Sequence, residues 1–365
     1  MTMDFSKLTA YLDHLDEMQI FARDMMIQLE GKTVYRHFSG VRDAAGREPM
    51  DGREVYWMYS MTKPLTVACA LKLMEEGKLG FTDPVFKYLP GWRVHPEATV
   101  EHLMSMKGGL DYELKAPEIL ACGPHADTQA IANALANRPL KFVPGTDFQY
   151  SLCLDVLAGV IEIASGMKFS EYMSKTLFEP LGMADSSLHL TENQKSRLCA
   201  QYQWVEAEKK SVPLGNDNID YNLTDAYESG GAGLISTAED YMRFVSAMAR
   251  DGGGILKKET VDFWKGYVNT GKAAETFDQI GRVGYGYGLG VRVLVKKGFT
   301  LSPLGEFGWD GADGSWSLMD TDNHLAMVFT MHVRGCGPAY EKVHPTIRDL
   351  AYSALREAGA VKPLE

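Results

Sequence analysis

The chain has 365 residues, 45% hydrophobic and 23% charged, ordinary globular values that allow a large core built as two lobes or as one domain with an insertion. Lys and Arg total 37 against 48 Asp and Glu, a formal net charge of -11; with no basic run, nucleic acid and anionic membrane surfaces are excluded as expected partners. No apolar stretch approaches about 18 residues, and Met1 to Lys7 carries neither a basic nor an apolar leader pattern, so neither a spanning helix nor an export signal is expected.

In chain order, Met25–Leu29 and Thr33–Phe38 are rich in β-formers and flank Glu30-Gly31-Lys32, the pattern of a hairpin. Glu54–Tyr59 is extended and runs into a helical pattern in which Met61, Leu65, Cys69, Leu73 and Met74 recur, with Gly77 closing it. Further amphipathic helices are expected from about Leu152 to Ala164 and from Ala238 to Met248. Gly284–Gly290 alternates glycine with Tyr and Leu; its spacing fits no phosphate loop, and it predicts a strand packed closely on a neighbour. Ser315–Asp320 and His324–Val333 predict a second hairpin turning at Thr321-Asp322-Asn323, followed by a helix over Ile347–Ala358. Strands at both ends with helices between imply an α+β fold, a mixed α/β sandwich. Its antiparallel sheet is built from both chain ends and flanked by helices, with a large, mostly helical inserted region. The expected division is 1–85 with 246–365 as the sheet domain and 86–245 as the helical one, the active site lying at their interface.

Five cysteines, Cys69, Cys122, Cys153, Cys199 and Cys336, form no C-x-x-C. Cys69 and Cys153 fall in helical apolar patterns as buried small hydrophobes, and a reduced, cytoplasmic setting is expected. The nine His show no metal-ligand spacing; no metal or cofactor is expected.

Ser60-Met61-Thr62-Lys63 is the most informative stretch. At i and i+3 of a helix start both side chains project from one face, with Ser60 at or beside the N-cap. The positive end of the helix dipole and partial burial both lower the pKa of Lys63 and make it a base near neutral pH. A serine beside such an amine is an activated nucleophile. A second S-x-x-K, Ser165-Gly166-Met167-Lys168, differs: Gly166 ends a helix there, leaving Lys168 in a solvated connection.

An activated serine also needs a proton relay and an oxyanion site. Tyr150 stands at the entrance of the helix that starts near Leu152, and a lysine nearby would bias its phenol toward phenolate. Phe307–Gly314 is glycine-dense, which lets backbone approach a substrate oxygen.

Ser60-Met61-Thr62-Lys63, Tyr150-Ser151-Leu152 and Trp309-Asp310-Gly311 resemble, in order and spacing, the three motifs of the serine β-lactamase and penicillin-binding-protein superfamily. The resemblance is closest to its class C β-lactamase-like branch, including family VIII carboxylesterases, and Phe178–Met183 and Gly233–Asp240 extend it over most of the chain. It implies acylation of Ser60, acid/base work shared by Lys63 and Tyr150 as a coupled pair, and an oxyanion hole of the Ser60 and Ala312 backbone N–H groups. It also places Tyr112 on a loop near the site, with Trp309, Gly311 and Leu152 against the substrate. Two departures shape the expected specificity. Leu152 replaces an amide-bearing Asn and Trp309 replaces a carboxylate-binding Lys, so uncharged, apolar acyl esters should be preferred over β-lactams. Asp310, at the middle of the third motif, either repels anionic substrates or caps the turn. The expected activity is a carboxylesterase acting on small-molecule esters. The alternatives are acyl transfer to an alcohol, a residual β-lactamase or D-aminopeptidase, or a non-catalytic binding protein of the same fold.

Overall fold

The structure, a computed structural model, describes residues 3–215, 221, 223–298 and 300–364. Strands β1 (Ala22–Leu29) and β2 (Lys32–Gly40) are joined by Glu30 and Gly31, both at positive φ, 50° and 75°. Two successive left-handed residues turn a hairpin without splaying its twisted strands. The C-terminal half contributes β3 (Tyr285–Tyr287), β4 (Arg292–Leu294), β5 (Phe307–Gly308), β6 (Trp316–Asp320) and β7 (Leu325–Met331). Together they form a seven-stranded sheet in the order β2-β1-β7-β6-β5-β4-β3. All of its pairings are antiparallel. The two chain ends meet where β1 pairs with β7, from Arg23 opposite Met331 to Leu29 opposite Leu325.

Both faces of these central strands are covered, as the period of two requires. Met25 and Ile27 of β1 join Met327 and Phe329 of β7 in a core shared with α1 (Ser6–Asp13) and the C-terminal helix His344–Glu357. The opposite face, with Met26, Ala326 and Val328, packs into a larger core with the helices α2 (Thr62–Glu75), α3 (Cys153–Ser165) and α4 (Ala238–Ala249). This is the helix–sheet–helix sandwich expected from the sequence.

Several details differ from expectation. The stretch expected as one strand to Val333 breaks after Met331, and Val333–Arg334 pairs in parallel with Tyr202–Val205, which in turn pairs with Lys210–Pro213. These make a three-stranded sheet, and a separate two-stranded sheet joins Val55–Trp57 to Ile235–Thr237. The inserted region therefore carries strands among its helices. Only Tyr285–Tyr287 of the glycine-rich run is a strand, yet its packing is close: a Cβ at Gly286 would meet Val268 at 2.4 Å and one at Gly288 the Tyr267 carbonyl at 2.6 Å. Helix α4 runs through position 245, where the expected division places a domain boundary, and lies on the sheet. Among the described residues no helix is long and apolar enough to cross a membrane, and no group of three His, Cys, Asp or Glu could hold a metal ion.

Candidate active site

The chain leaves the strand Val55–Trp57 through Tyr59, a fully buried residue at φ 47°. Left-handed backbone is costly for a bulky residue and persists only when its surroundings fix it. Here the Tyr59 hydroxyl donates to Gln201 Oε1 at 2.6 Å. Thr62 Oγ1 donates to the Tyr59 carbonyl at 2.6 Å and accepts from Leu234 N at 2.9 Å. A 3₁₀ turn over Tyr59–Met61 then feeds α2. Ser60 stands directly beside the helix cap, within the expectation from sequence; Met61 holds the cap position itself, in helical conformation and without a side-chain cap. The Ser60 hydroxyl faces Lys63 instead.

Lys63 lies in the first helical turn with no exposed surface. Its Nζ is within hydrogen-bonding distance of three acceptors: Ser60 Oγ at 2.9 Å, the Gly231 carbonyl at 2.7 Å and the Tyr112 hydroxyl at 3.3 Å. Burial lowers its pKa from 10.5 to about 7, against the opposing pull of Asp155 and Asp310. The geometry serves both protonation states. An ammonium donates to all three acceptors, whereas a neutral amine keeps one lone pair that the Ser60 hydroxyl can fill. The Gly231 carbonyl is held by its own segment: Gly231 N and the hydroxyls of Ser229 and Tyr227 all donate to Asp155 Oδ1. A Cβ at Gly231 would sit 2.6 Å from the other Asp155 oxygen, so only glycine fits.

Three rings stack beside this pair. Tyr112 and Tyr150 lie 5.6 Å apart at 16°, and Tyr150 and Trp309 5.7 Å apart at 28°. Lys63 Nζ lies 4.6 Å from the Tyr150 ring centroid, a cation–π contact when charged. The Trp309 indole N–H donates to the Tyr150 hydroxyl at 3.0 Å. Burial pushes the Tyr150 phenol well up, with its hydrogen bonds to Ser60 and Trp309 opposing. This reverses the expected bias toward phenolate: desolvation outweighs the hydrogen bonds that favour the charged form.

Trp309 and Asp310 continue β5, and Gly311–Gly314 turns back into β6, closed by Gly311 N to the Ser315 carbonyl at 2.8 Å. The glycine-dense stretch is thus a hairpin tip. It presses against the turn that carries Ser60: a Cβ at Gly311 would meet the Met58 carbonyl at 2.6 Å. The tip is tied on its far side, where Gly311 O accepts from the Tyr340 hydroxyl at 2.7 Å and Ala312 O from Gly335 N at 3.1 Å. Asp310, 4% exposed, pairs with Arg282, whose guanidinium lies over the Tyr340 ring. Its charge is therefore neutralised, which removes the expected repulsion of anions.

A cleft of about 390 Å³ opens here, walled by Ser60, Tyr112, Tyr150, Trp309, Gly311 and Ala312 together with Tyr221, Ile280, Arg282, Asp310 and Tyr340. Seven of the eight residues expected at the site thus converge: Ser60, Tyr112, Tyr150, Trp309, Gly311 and Ala312 on the wall, and Lys63 beneath. Leu152 does not join them. It is 1% exposed, packs in the core and forms no part of the cleft wall, because its place just before α3 turns it inward. Gly231, Asp155, Arg282 and Tyr340 were not anticipated. Only the run Gly230-Gly231-Ala232-Gly233 carried a signal, as glycines that a close approach requires.

Residues 16–352 match the Beta-lactamase family. The chain belongs to that family. Among curated relatives it is 28% identical to Esterase EstB of Burkholderia gladioli over 360 residues, covering 86% of this chain and 88% of EstB. It is 27% identical to ML-236A carboxylate methylbutanoyltransferase mlcH of Penicillium citrinum over 268 residues, 67% and 63% of the two chains. Among solved structures, that of EstCE1, a hydrolase with promiscuous acyltransferase activity, superposes with a TM-score of 0.81 at 24% identity, covering 95% of this chain and 98% of that one. Membership of the Beta-lactamase family agrees with the resemblance drawn from the three motifs, and the EstCE1 likeness agrees with the fold.

Proposed function

We propose that the protein is a serine ester hydrolase that cleaves small, uncharged carboxylic esters through an acyl-Ser60 intermediate. The carrying observation is the buried Lys63 Nζ, 2.9 Å from Ser60 Oγ, with its pKa lowered to about 7 by burial. Neutral Lys63 takes the Ser60 proton as Oγ attacks the ester carbonyl. The developing oxyanion meets the backbone N–H groups of Ser60 and Ala312, both at the cleft wall. Tyr150, kept as a neutral phenol, gives its proton to the departing alkoxide and regains one from Lys63, so the pair acts as a unit. Water then attacks the acyl-Ser60 ester by the reverse relay. The stacked aromatic wall favours apolar acyl groups. Free thiols at Cys69, Cys153, Cys199 and Cys336, all buried, agree with a reduced, cytoplasmic setting.

Hydrolysis of p-nitrophenyl butyrate, lost together with fluorophosphonate labelling in Ser60→Ala, is the expected outcome. Turnover retained in that variant would sink the assignment. The likeness to a methylbutanoyltransferase supports a second reading in which an alcohol takes the acyl group; product analysis with added butanol separates transfer from hydrolysis.

A further inference from the structure

Beside the cleft, and sharing Arg282 and Tyr340 with it, lies a second cavity of about 380 Å³ lined by three arginines. Arg282 reaches it from the segment before β3, Arg292 from β4 and Arg348 from the C-terminal helix. Arg282 and Arg348 each have a carboxylate partner, Asp310 and Asp349. Arg292 does not. It is 3% exposed, and its Nη2 donates to the Ser317 carbonyl at 2.8 Å. Its Nη1 has no hydrogen-bond partner, and among the described residues no carboxylate pairs with it. The rings of Tyr285 and Trp316 lie 5.4 Å from the guanidinium and offset part of its desolvation. The carboxylate that acts on Arg292 from further away is Glu306, itself fully buried, accepting from the Tyr285 hydroxyl and pushed toward its protonated form by burial. His344 also lines the cavity and is held neutral, its pKa lowered to about 3 by burial. Glu341 at the rim is exposed. A buried guanidinium with one nitrogen unpartnered and no carboxylate in contact is unfavourable unless a ligand supplies the missing acceptor.

The geometry points to a binding site for a compact oxyanion, a carboxylate or phosphate group on a small molecule, held between Arg292, Arg348 and Arg282. The planar forks of arginines match such groups in shape as well as charge. Because Arg282 also neutralises Asp310, an occupant here competes with Asp310 for that guanidinium and couples the cavity to the ester cleft.

The test is thermal denaturation of the full chain in chloride, phosphate or butyrate at matched ionic strength. The wild type is expected to gain several degrees in phosphate, butyrate or both, the effective salt naming the group bound. Arg292→Met is expected to lose the anion-specific gain. Were that variant not to fold, Arg348→Gln is expected to weaken the apparent affinity about tenfold or more, the contribution of one charged hydrogen bond. A wild type indifferent to both anions, or an Arg292→Met protein that keeps the full gain, would overturn the proposal. Esterase activity enters neither result, so failure here is separable from failure of the ester-cleavage reading.

Discussion

Replacing Lys63 with methionine tests the central claim twice, because one proton governs both catalysis and stability. In the folded chain burial brings the Lys63 pKa from 10.5 to about 7. At about 1.36 kcal/mol per pH unit that gap amounts to about 5 kcal/mol. The folded-state value lies below the unfolded one, so between pH 7 and 10.5 the unfolded chain holds a proton that the folded chain has released. Stability therefore rises with pH across that window, and the full penalty applies below pH 7. Methionine fills a similar volume without charge but leaves the Gly231 carbonyl, Ser60 Oγ and Tyr112 hydroxyl without their shared donor, a loss of about 1–3 kcal/mol. At pH 6 Lys63→Met should thus be the more stable protein by about 2–4 kcal/mol, an advantage that shrinks toward pH 9 and then reverses. In the wild type kcat/KM for p-nitrophenyl butyrate should climb through a midpoint near pH 7, as a base must be deprotonated to act, and the variant should be inactive throughout. Chemical denaturation of both proteins at pH 6 and 9 supplies the stabilities. A stability difference that ignores pH, or an activity midpoint far from 7, would refute the assignment of a neutral amine at this position.

Trp309→Phe keeps the stacked ring but deletes the N–H that donates to Tyr150 at 3.0 Å. One hydrogen bond of about 1 kcal/mol predicts a roughly fivefold fall in kcat with KM little changed; an unaltered kcat would remove Trp309 from any role beyond the wall. Gly311→Ala forces a methyl to within 2.6 Å of the Met58 carbonyl, so the hairpin tip must move away from Ser60. Displacements of this kind cost about 10- to 100-fold in kcat, and steady-state kinetics on an otherwise stable variant would show it. Asp310→Asn leaves Arg282 without its partner and should raise kcat/KM for mono-p-nitrophenyl succinate relative to the butyrate by about tenfold, from one added positive charge near the cleft. An unchanged ratio would show that Arg282 does not sense the substrate.

What could be read from the sequence was whatever a local pattern encodes. The two hairpins announced themselves through Glu30-Gly31 and Thr321-Asp322-Asn323, where turn chemistry sits between β-rich runs. In the second, Asp320 Oδ1 accepts from both Asp322 N and Asn323 N. The Ser60 to Lys63 spacing was equally legible, since three residues of helix bring two side chains together whatever the remainder of the chain does. The solvated setting of the second S-x-x-K was legible too, for Gly166 ends α3 at φ 71° and Lys168 is exposed. The short strands Tyr202–Val205 and Val333–Arg334 are not legible in the sequence because they pair with each other across about 130 residues, and runs of four and two residues carry too little periodicity to mark them.

The errors at the site share one origin, the reach of the solvent. Leu152 was placed against the substrate from its motif position, but one residue's rotation at a helix entrance decides whether a side chain meets the cleft or the core. Tyr150 was expected to lean toward phenolate because a lysine stood nearby; the same enclosure that makes Lys63 a neutral amine also raises the phenol. A buried site shifts every titratable group toward its uncharged form, so a base and an acid of opposite charge type are tuned together by one act of exclusion. Asp310 is met by a different device, an ion pair. Though nearly enclosed, it keeps a guanidinium partner, and the partner comes from position 282, in a loop where no motif would have directed attention. Neutrality in this cleft is therefore reached by two routes, desolvation for Lys63 and Tyr150 and pairing for Asp310, and only the second can be undone by a single substitution outside the catalytic residues.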